Sequence, residues 1–470
     1  MRPNVFLIVF DAARRDAFEP YGAAAGSTPA VAQLASRGVA RPDVYATAPW
    51  TVPSHASMFT GLMPRAAGLA KAGSPPAMKE LVLAHEDRLL QSVLRRAGYR
   101  TGAASANLWL STFSGFDVGF DDFAQVDTGR HGRLHEPGAR ERARWLAEAV
   151  RGRADDGARA VERTLEGWLS ESPRPFFWFV NLLECHSPYL PPRPYGHVSR
   201  LDRLRAADEA RRYYTLNGIW TVCGGGMQVP DDALERARRL YAGAVRYMDD
   251  WLARMLERLD RAGVLDETLV IVTSDHGENF GEGGLLAHGL SLDNRLINVP
   301  FVAAGPGSGR ELSSLAEVPR MVAEAAGVED HPWREELPVG FGVAQSDPLA
   351  DPTDETAMQA LADMGVADAL ETFTTPLSCA VRDGLKLLRR GEREEVYDLA
   401  ADPLEVDPVA PETVAAAGRD SELAALRSAL DHPAVTSRRG VHEPAPADVP
   451  GPSEEEMQEL EERMKLLGYM

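Results

Sequence analysis

Thr51 opens the run Thr51-Val52-Pro53-Ser54-His55 and offers the hydroxyl on which a nucleophile reading rests. Residues 48–50 before it and 56–61 after it read as a short loop that feeds a helix. Pro53 suits the first turn of that helix, where its missing N–H costs nothing. The unpaired N–H groups and the positive end of the helix dipole then gather around Thr51. That arrangement favours an anionic group such as phosphate or sulfate. The same five residues also describe an ordinary capped helix, so the chemistry is weighed together with three further stretches.

Each of those stretches is an apolar run that ends in polar groups. Residues 5–10 run into Asp11. Residues 176–183, apolar except for Asn181, run into Glu184, Cys185 and His186. Residues 269–273 run into Ser274, Asp275, His276, Gly277 and Glu278, and the glycine-rich residues 281–284 lead on to His288. Carboxylates with imidazoles make a donor set of nitrogen and oxygen suited to Zn²⁺ or Mn²⁺, with no soft thiolate required. Asp11, Asp275 and His276 are the expected protein ligands, with Thr51 as the fourth. A divalent cation against Thr51 lowers the pKa of its hydroxyl and makes an alkoxide nucleophile. His186, His288 and Glu184 either bind the non-bridging oxygens of a substrate or hold a second ion, so one or two ions are expected. His55 and Asn107 are placed with Glu184 on the substrate side, and Thr51, His186 and His288 are the expected catalytic groups.

The elements that must position these residues follow from pattern. The unbroken apolar runs have the length and character of buried strands in a parallel sheet. In such sheets the ligand crevice lies at the carboxyl ends of the strands, where the polar groups fall. A helix begins at Ser27-Thr28-Pro29 and is expected to end at Gly38, with a short strand near Val44. Residues 89–98 read as a helix and residues 100–106 as a strand that delivers Asn107. Phe113, Phe116, Phe120 and Phe123 read as a core patch or packed lid. Residues 128–171 are charged with a helical pattern, residues 190–232 show no clear period, and residues 234–262 form a long amphipathic helix. Asp383-Gly384 between two short alternating runs signals a hairpin. Residues 453–467 read as an acidic terminal helix.

Composition bounds the class. At 470 residues, 44% hydrophobic and 26% charged, the chain has the make-up of a soluble globular protein of two or three units. A net charge of −20 argues against extensive contact with nucleic acid or anionic membranes, so the expected partner is a small anionic ester. Three widely spaced cysteines imply no disulfide framework, and no apolar stretch has the length of a membrane span, so a cytoplasmic location is expected. A homo-oligomer is compatible with these features and not required by them.

Taken in order, five segments resemble the sulfatase family of the alkaline phosphatase superfamily. They are residues 11–16, residues 51–55, His186-Ser187-Pro188-Tyr189, residues 274–278 and His288-Gly289. The segment Val381-Arg382-Asp383-Gly384, then Tyr397-Asp398-Leu399, Asp402-Pro403 and Leu467-Gly468-Tyr469 look like that family's C-terminal subdomain. The resemblance implies an α/β sandwich with a large, mostly parallel central sheet and a smaller antiparallel subdomain. It implies a catalytic unit over residues 1–330 with insertions near 125–172 and 190–232, a connection over 331–377 and a subdomain over 378–470. It also implies a hydrolase of sulfuric or phosphoric esters.

Four departures sharpen that implication. Thr51 stands where sulfatases carry the Cys or Ser that becomes formylglycine, a conversion closed to a secondary alcohol. Ala12 replaces a second metal-binding Asp, and His276 replaces a common Asn, which favours Zn²⁺ or Mn²⁺ over Ca²⁺. His55 replaces an Arg. A Thr nucleophile with an Asp-His pair looks more like the phosphodiesterase and phosphoethanolamine-transferase branches. The alternatives are a group transferase on the same site and a binding protein that retains the fold.

Overall fold

The structure is a computed structural model that describes residues 2–71, 75–126, 138–171, 174–333 and 337–437. The expected terminal helix over 453–467 lies outside the described residues. Nine strands belong to the first part of the chain: β1 (Asn4–Phe10), β2 (Gly38–Ala40), β3 (Arg100–Ser105), β4 (Asp122–Gln125), β5 (Phe176–Leu182), β6 (Thr268–Thr273), β7 (Asn279–Phe280), β8 (Leu286–Ala287) and β9 (Phe301–Ala304). Seven of them form one sheet in the order β2-β9-β6-β1-β5-β3-β4, while β7 and β8 pair as a separate ribbon.

β1 sits at the centre, and every one of its residues is buried. Val5, Leu7 and Val9 pack into the core on one face, and Phe6, Ile8 and Phe10 into the core on the other. Both faces are therefore covered, which is why the strand is apolar throughout. β1 runs parallel to β5 and β6, with Val9 opposite Asn181 on one side and Thr273 on the other. β3 is parallel to β5, with Ser105 opposite Asn181, whereas β9 and β2 run antiparallel at one edge. The chain thus leaves β6, β1, β5 and β3 at the same end of the sheet, in adjacent positions.

A second sheet is antiparallel throughout, in the order β10 (Gly342–Ser346), β11 (Leu377–Arg382), β12 (Leu385–Arg390) and β13 (Arg393–Asp398). Asp383 (φ 49°) and Gly384 (φ 76°) both take the left-handed conformation that a two-residue hairpin turn requires. Residues 331–377, read from sequence as a connection, supply the edge strand β10. The buried Lys386 ammonium on β12 donates to the Leu292 carbonyl and pairs with Glu405, which fastens this sheet to the segment that follows His288.

Three local expectations are corrected. The strand expected near Val44 lies earlier, at Gly38–Ala40, and residue 45 makes only isolated bridges to Asn298 and Ser314. Gly38 does not cap the preceding helix, which ends at Ser36. It begins β2, where an added Cβ would lie 2.0 Å from the Ala303 carbonyl oxygen. Residues 190–232 contain two helices, Arg200–Tyr213 and Leu216–Cys223. The first buries Arg203, Ala207, Ala210 and Tyr213, a helical spacing carried by a charged and two small residues. Arg203 is tolerated there because its guanidinium donates to the carbonyls of Ala149 (2.7 Å) and Pro191 (2.8 Å). The phenylalanines resolve as core: Phe116 and Phe120 pack with Phe59. All three cysteines are free, and no helix among the described residues is long and apolar enough to cross a membrane.

The close approach at Gly38 generates a prediction. Gly38→Ala should destabilise the protein by about 1–3 kcal/mol, the usual cost of forcing an atom into packed backbone. A urea denaturation midpoint below that of the wild type checks it.

Candidate active site

The strand ends place the expected residues together. Asp11 follows β1 and Asp275 follows β6, its parallel neighbour, and both are 0% exposed. Asn181 in β5 and Asn107 beyond β3 complete the row. Each carboxylate has one oxygen engaged and one without a hydrogen-bond partner. Asp11 Oδ2 accepts from Asn107 Nδ2 (2.8 Å) and Asn181 Nδ2 (3.1 Å), while Oδ1 has no partner. Asp275 Oδ1 accepts from the backbone N–H of Ala12 (3.2 Å) and of His276 (3.0 Å), while Oδ2 has no partner. Ala12 thus acts through its amide, in a left-handed conformation (φ 59°).

His276 closes the group. Its Nδ1 donates to the Gly277 carbonyl at 2.9 Å, so its lone pair is on Nε2. That nitrogen lies 3.4 Å from Asp275 Oδ2 and 3.8 Å from Asp11 Oδ1. One ligand atom each from Asp11, Asp275 and His276 lies within 4.8 Å of the others, the arrangement a divalent cation requires. Two buried carboxylate oxygens without hydrogen bonds, facing a bare imidazole nitrogen, are a donor set with a large desolvation cost. A divalent cation fits that donor set.

Thr51 is the first residue of the helix Thr51–Thr60, and all ten residues of that helix are buried. Its Oγ1 lies 3.4 Å from His276 Nε2 and 3.4 Å from Asn107 Nδ2. Ser54 Oγ donates to the Asp275 carbonyl (2.7 Å), which ties the helix start to the end of β6. His55 stands one turn along, fully buried. Its Nδ1 donates to the Thr51 carbonyl (2.9 Å) and lies 3.5 Å from Asp275 Oδ2. The expected substrate role of His55 is therefore corrected: this imidazole supports the backbone of Thr51 and the Asp275 carboxylate. His186 and His288 stack edge-on with ring centroids 4.9 Å apart, and His288 lies 4.3 Å from His276. Glu184 is not brought to the group. Its Oε1 accepts from the Ala158 N–H (2.8 Å) at the start of the helix Ala158–Glu171, so its expected substrate contact is also corrected.

Two residues of the site were not assigned a role from sequence. Asn181 is the one polar break in an otherwise apolar strand, and that break was its signal. Glu278 lies 2.9 Å from His288 Nδ1 through Oε1, a pairing hidden by nine intervening residues.

The electrostatics follow from burial. Desolvation pushes Asp11 up, but His186, His276, the Asn107 hydrogen bond and His55 outweigh it and hold its carboxyl below the ordinary value. Burial and then the Asp11 charge push Asp275 up to about 8. The two carboxylates repel each other, and a bound cation would relieve that repulsion. Burial pushes Glu278 up to about 7, and burial with the nearby His276 pushes the His288 imidazolium well down.

The comparisons agree with this geometry. The sequence signature of the sulfatases matches residues 3–328. The chain belongs to the Sulfatase family. It is thereby a hydrolase of sulfuric or phosphoric ester bonds. It is 24% identical to the choline-sulfatase of Rhizobium meliloti over 450 residues, covering 87% of this chain and 82% of that sulfatase. The fold is shared with the phosphonate monoester hydrolase from Silicibacter pomeroyi (TM-score 0.65, 17% identity, 94% of this chain and 97% of that one). It is shared equally with the phosphonate monoester hydrolase of Agrobacterium radiobacter (TM-score 0.58, 20% identity, 91% and 96%). The fold is therefore that of the alkaline phosphatase-like sulfatases, as the sequence led one to expect.

Glu184 carries the prediction of this section. Burial, then Asp156 and Asp155, push its carboxyl from 4.5 up to about 8. Across that interval the unfolded chain releases the proton and the folded chain keeps it. The stability tied to the protonated form is complete below 4.5 and is lost as the pH rises to about 8. Glu184→Gln retains the bond from Ala158 without a charge. Its melting temperature should match the wild type near about pH 5 and exceed it near about pH 9. Parallel thermal melts at the two pH values check the sign.

Proposed function

We propose that this chain is a metal-dependent sulfatase-like hydrolase that cleaves a monoanionic phosphodiester, phosphonate monoester or sulfate ester through a covalent ester on Thr51. The observation that carries the reading is the position of Thr51 Oγ1, 3.4 Å from His276 Nε2, at the start of a buried helix and beside two unpaired carboxylate oxygens. Asp11, Asp275 and His276, with Thr51, would hold the cation. A bound Zn²⁺ or Mn²⁺ supplies a lowered hydroxyl pKa and neutralises charge on the transferring oxygens.

The chain's own groups do the rest. The N-terminal amides of the Thr51–Thr60 helix and the Asn107 amide orient the anionic oxygens. Thr51 Oγ1 passes its proton to a neutral imidazole nitrogen at the open side of the site, forms a bond to phosphorus or sulfur, and the bond to the leaving alcohol breaks. His186 and His288 stand at the open side, where an imidazole returns a proton to the leaving alcohol oxygen. Water then cleaves the Thr51 ester, releases the acid and restores the hydroxyl. Phosphodiesters, phosphonate monoesters and sulfate esters each carry one negative charge, for which the amides at the helix start and the Asn107 side-chain amide offer donors. If a second alcohol replaces water in the last step, the same site is a transferase.

Thr51→Ala should lower turnover by more than about 10⁴-fold, the scale of removing a nucleophile. The variant should keep the circular dichroism and the metal content of a folded protein, and Thr51→Ser should retain activity. The assay compares an aryl phosphodiester, an aryl phosphonate monoester and an aryl sulfate on metal-reconstituted enzyme. Unchanged turnover in Thr51→Ala overturns the mechanism. Separately, Asp275→Asn should abolish stoichiometric uptake of Zn²⁺ or Mn²⁺, as read by elemental analysis after dialysis, because it removes one of two anionic donors.

A further inference from the structure

Glu278 has no task in the mechanism above, yet it is 0% exposed, with the Tyr189 hydroxyl and the His288 imidazole as its side-chain neighbours. A carboxylate buried this way is costly unless its placement serves something. Its Oε1 lies 2.9 Å from His288 Nδ1.

The meeting of these two side chains is built by local backbone. β7 and β8 pair Asn279 with Ala287. The residues that flank this pair, Glu278 and His288, therefore leave the ribbon side by side at its open end. The backbone ahead of Glu278 is also clamped. The Gly277 N–H donates to the Leu296 carbonyl (2.7 Å), and a Cβ at residue 277 would lie 1.9 Å from the Arg295 carbonyl oxygen. Arg14 Nη1 donates to the Glu278 carbonyl at 3.3 Å.

The pair is asymmetric towards solvent. The His288 side chain is 17% exposed and that of Glu278 is 0% exposed. A ligand therefore reaches the imidazole and not the carboxylate. A carboxylate oxygen accepts, so the hydrogen of the contact sits on Nδ1, and Nε2 is the nitrogen left for a ligand. The same ring lies within 5 Å of both His276 and His186 by centroid distance (4.3 and 4.9 Å). A histidine whose working nitrogen is chosen by the bond its other nitrogen makes is a recurring arrangement at reactive sites.

We propose that Glu278 is a positioning residue: its Oε1 accepts the Nδ1–H of His288 and so presents His288 Nε2 to the ester held beside Thr51. This rests on the reading of the site as an ester hydrolase, so one arm of the test needs no substrate. In that arm the imidazole ¹⁵N shifts of the full chain are read by NMR, and His288→Gln assigns the His288 signals by their loss. Wild type and Glu278→Gln should show His288 protonated at Nδ1 and bare at Nε2, because the Gln carbonyl oxygen still accepts. Glu278→Ala should lose that preference.

In the kinetic arm, Glu278→Ala should lower kcat by about 10–100-fold with KM little changed, the scale seen when a histidine loses its orienting partner. Glu278→Gln should recover most of that loss. An unchanged His288 tautomer in Glu278→Ala overturns the proposal. So does wild-type kcat in Glu278→Ala, or a Glu278→Gln variant as impaired as Glu278→Ala. A wild-type enzyme that turns over none of the three esters overturns the functional reading instead, and the tautomer measurement still decides the role of Glu278.

Discussion

Two carboxylates, Asp11 and Asp275, are brought together in a dry place by adjacent parallel strands, and the rest of the structure answers to that. Neither is exposed, and each keeps one oxygen without a hydrogen-bond partner. Their mutual repulsion in a low dielectric is met by imidazoles, by amides and by the cation the donor set accepts. Without positive charge between them the arrangement is unfavourable. With it, the same arrangement concentrates field on whatever hydroxyl and ester lie alongside.

The supporting bonds show how the protein keeps this cluster from relaxing. Asn107 and Asn181 both donate to Asp11 Oδ2, and Ala12 and His276 both donate to Asp275 Oδ1. Each carboxylate is thus turned so that its unpaired oxygen faces His276 Nε2. His276 is in turn held by the Gly277 carbonyl, and Thr51 by the His55 ring and the Ser54 link to β6. The replacement of an Asp by Ala at position 12 costs the site no contact with Asp275, because the residue works through its backbone.

The departures from the sulfatase pattern are consistent with one another. An imidazole at 276 adds a softer donor than an amide, and a histidine at 55 supports the Thr51 backbone where an arginine would bring a charge. Together they describe a site with less fixed positive charge than the sulfatase pattern. The C-terminal sheet joins the same design through Lys386, which holds the stretch after His288 by the Leu292 carbonyl.

Much of this was legible in the residues themselves. Unbroken apolar runs mark strands covered on both faces, because a strand with one wet face must alternate. Polar groups at their ends mark the edge of the sheet where a crevice forms, so Asp11, Asp275 and His276 were identifiable before any coordinates. The Asp383-Gly384 turn was legible because few dipeptides accept two left-handed residues in a row. What the tertiary structure alone decided were matters of direction and partner. Glu184 and His186 are two residues apart, and only the packing of the helix Ala158–Glu171 turns the carboxylate of Glu184 away from the site. Gly38 carries no local sign that its hydrogen faces the Ala303 carbonyl. The helix Arg200–Tyr213 hides its buried stripe behind arginine and alanine, since burial there is made by two distant carbonyls and not by apolar side chains. The pairing of Glu278 with His288 depends on the register of a ribbon two residues long. Side-chain type and spacing determine what chemistry a chain can offer; which oxygen or nitrogen faces it depends on contacts between segments far apart in sequence, and those exist only once the chain has packed.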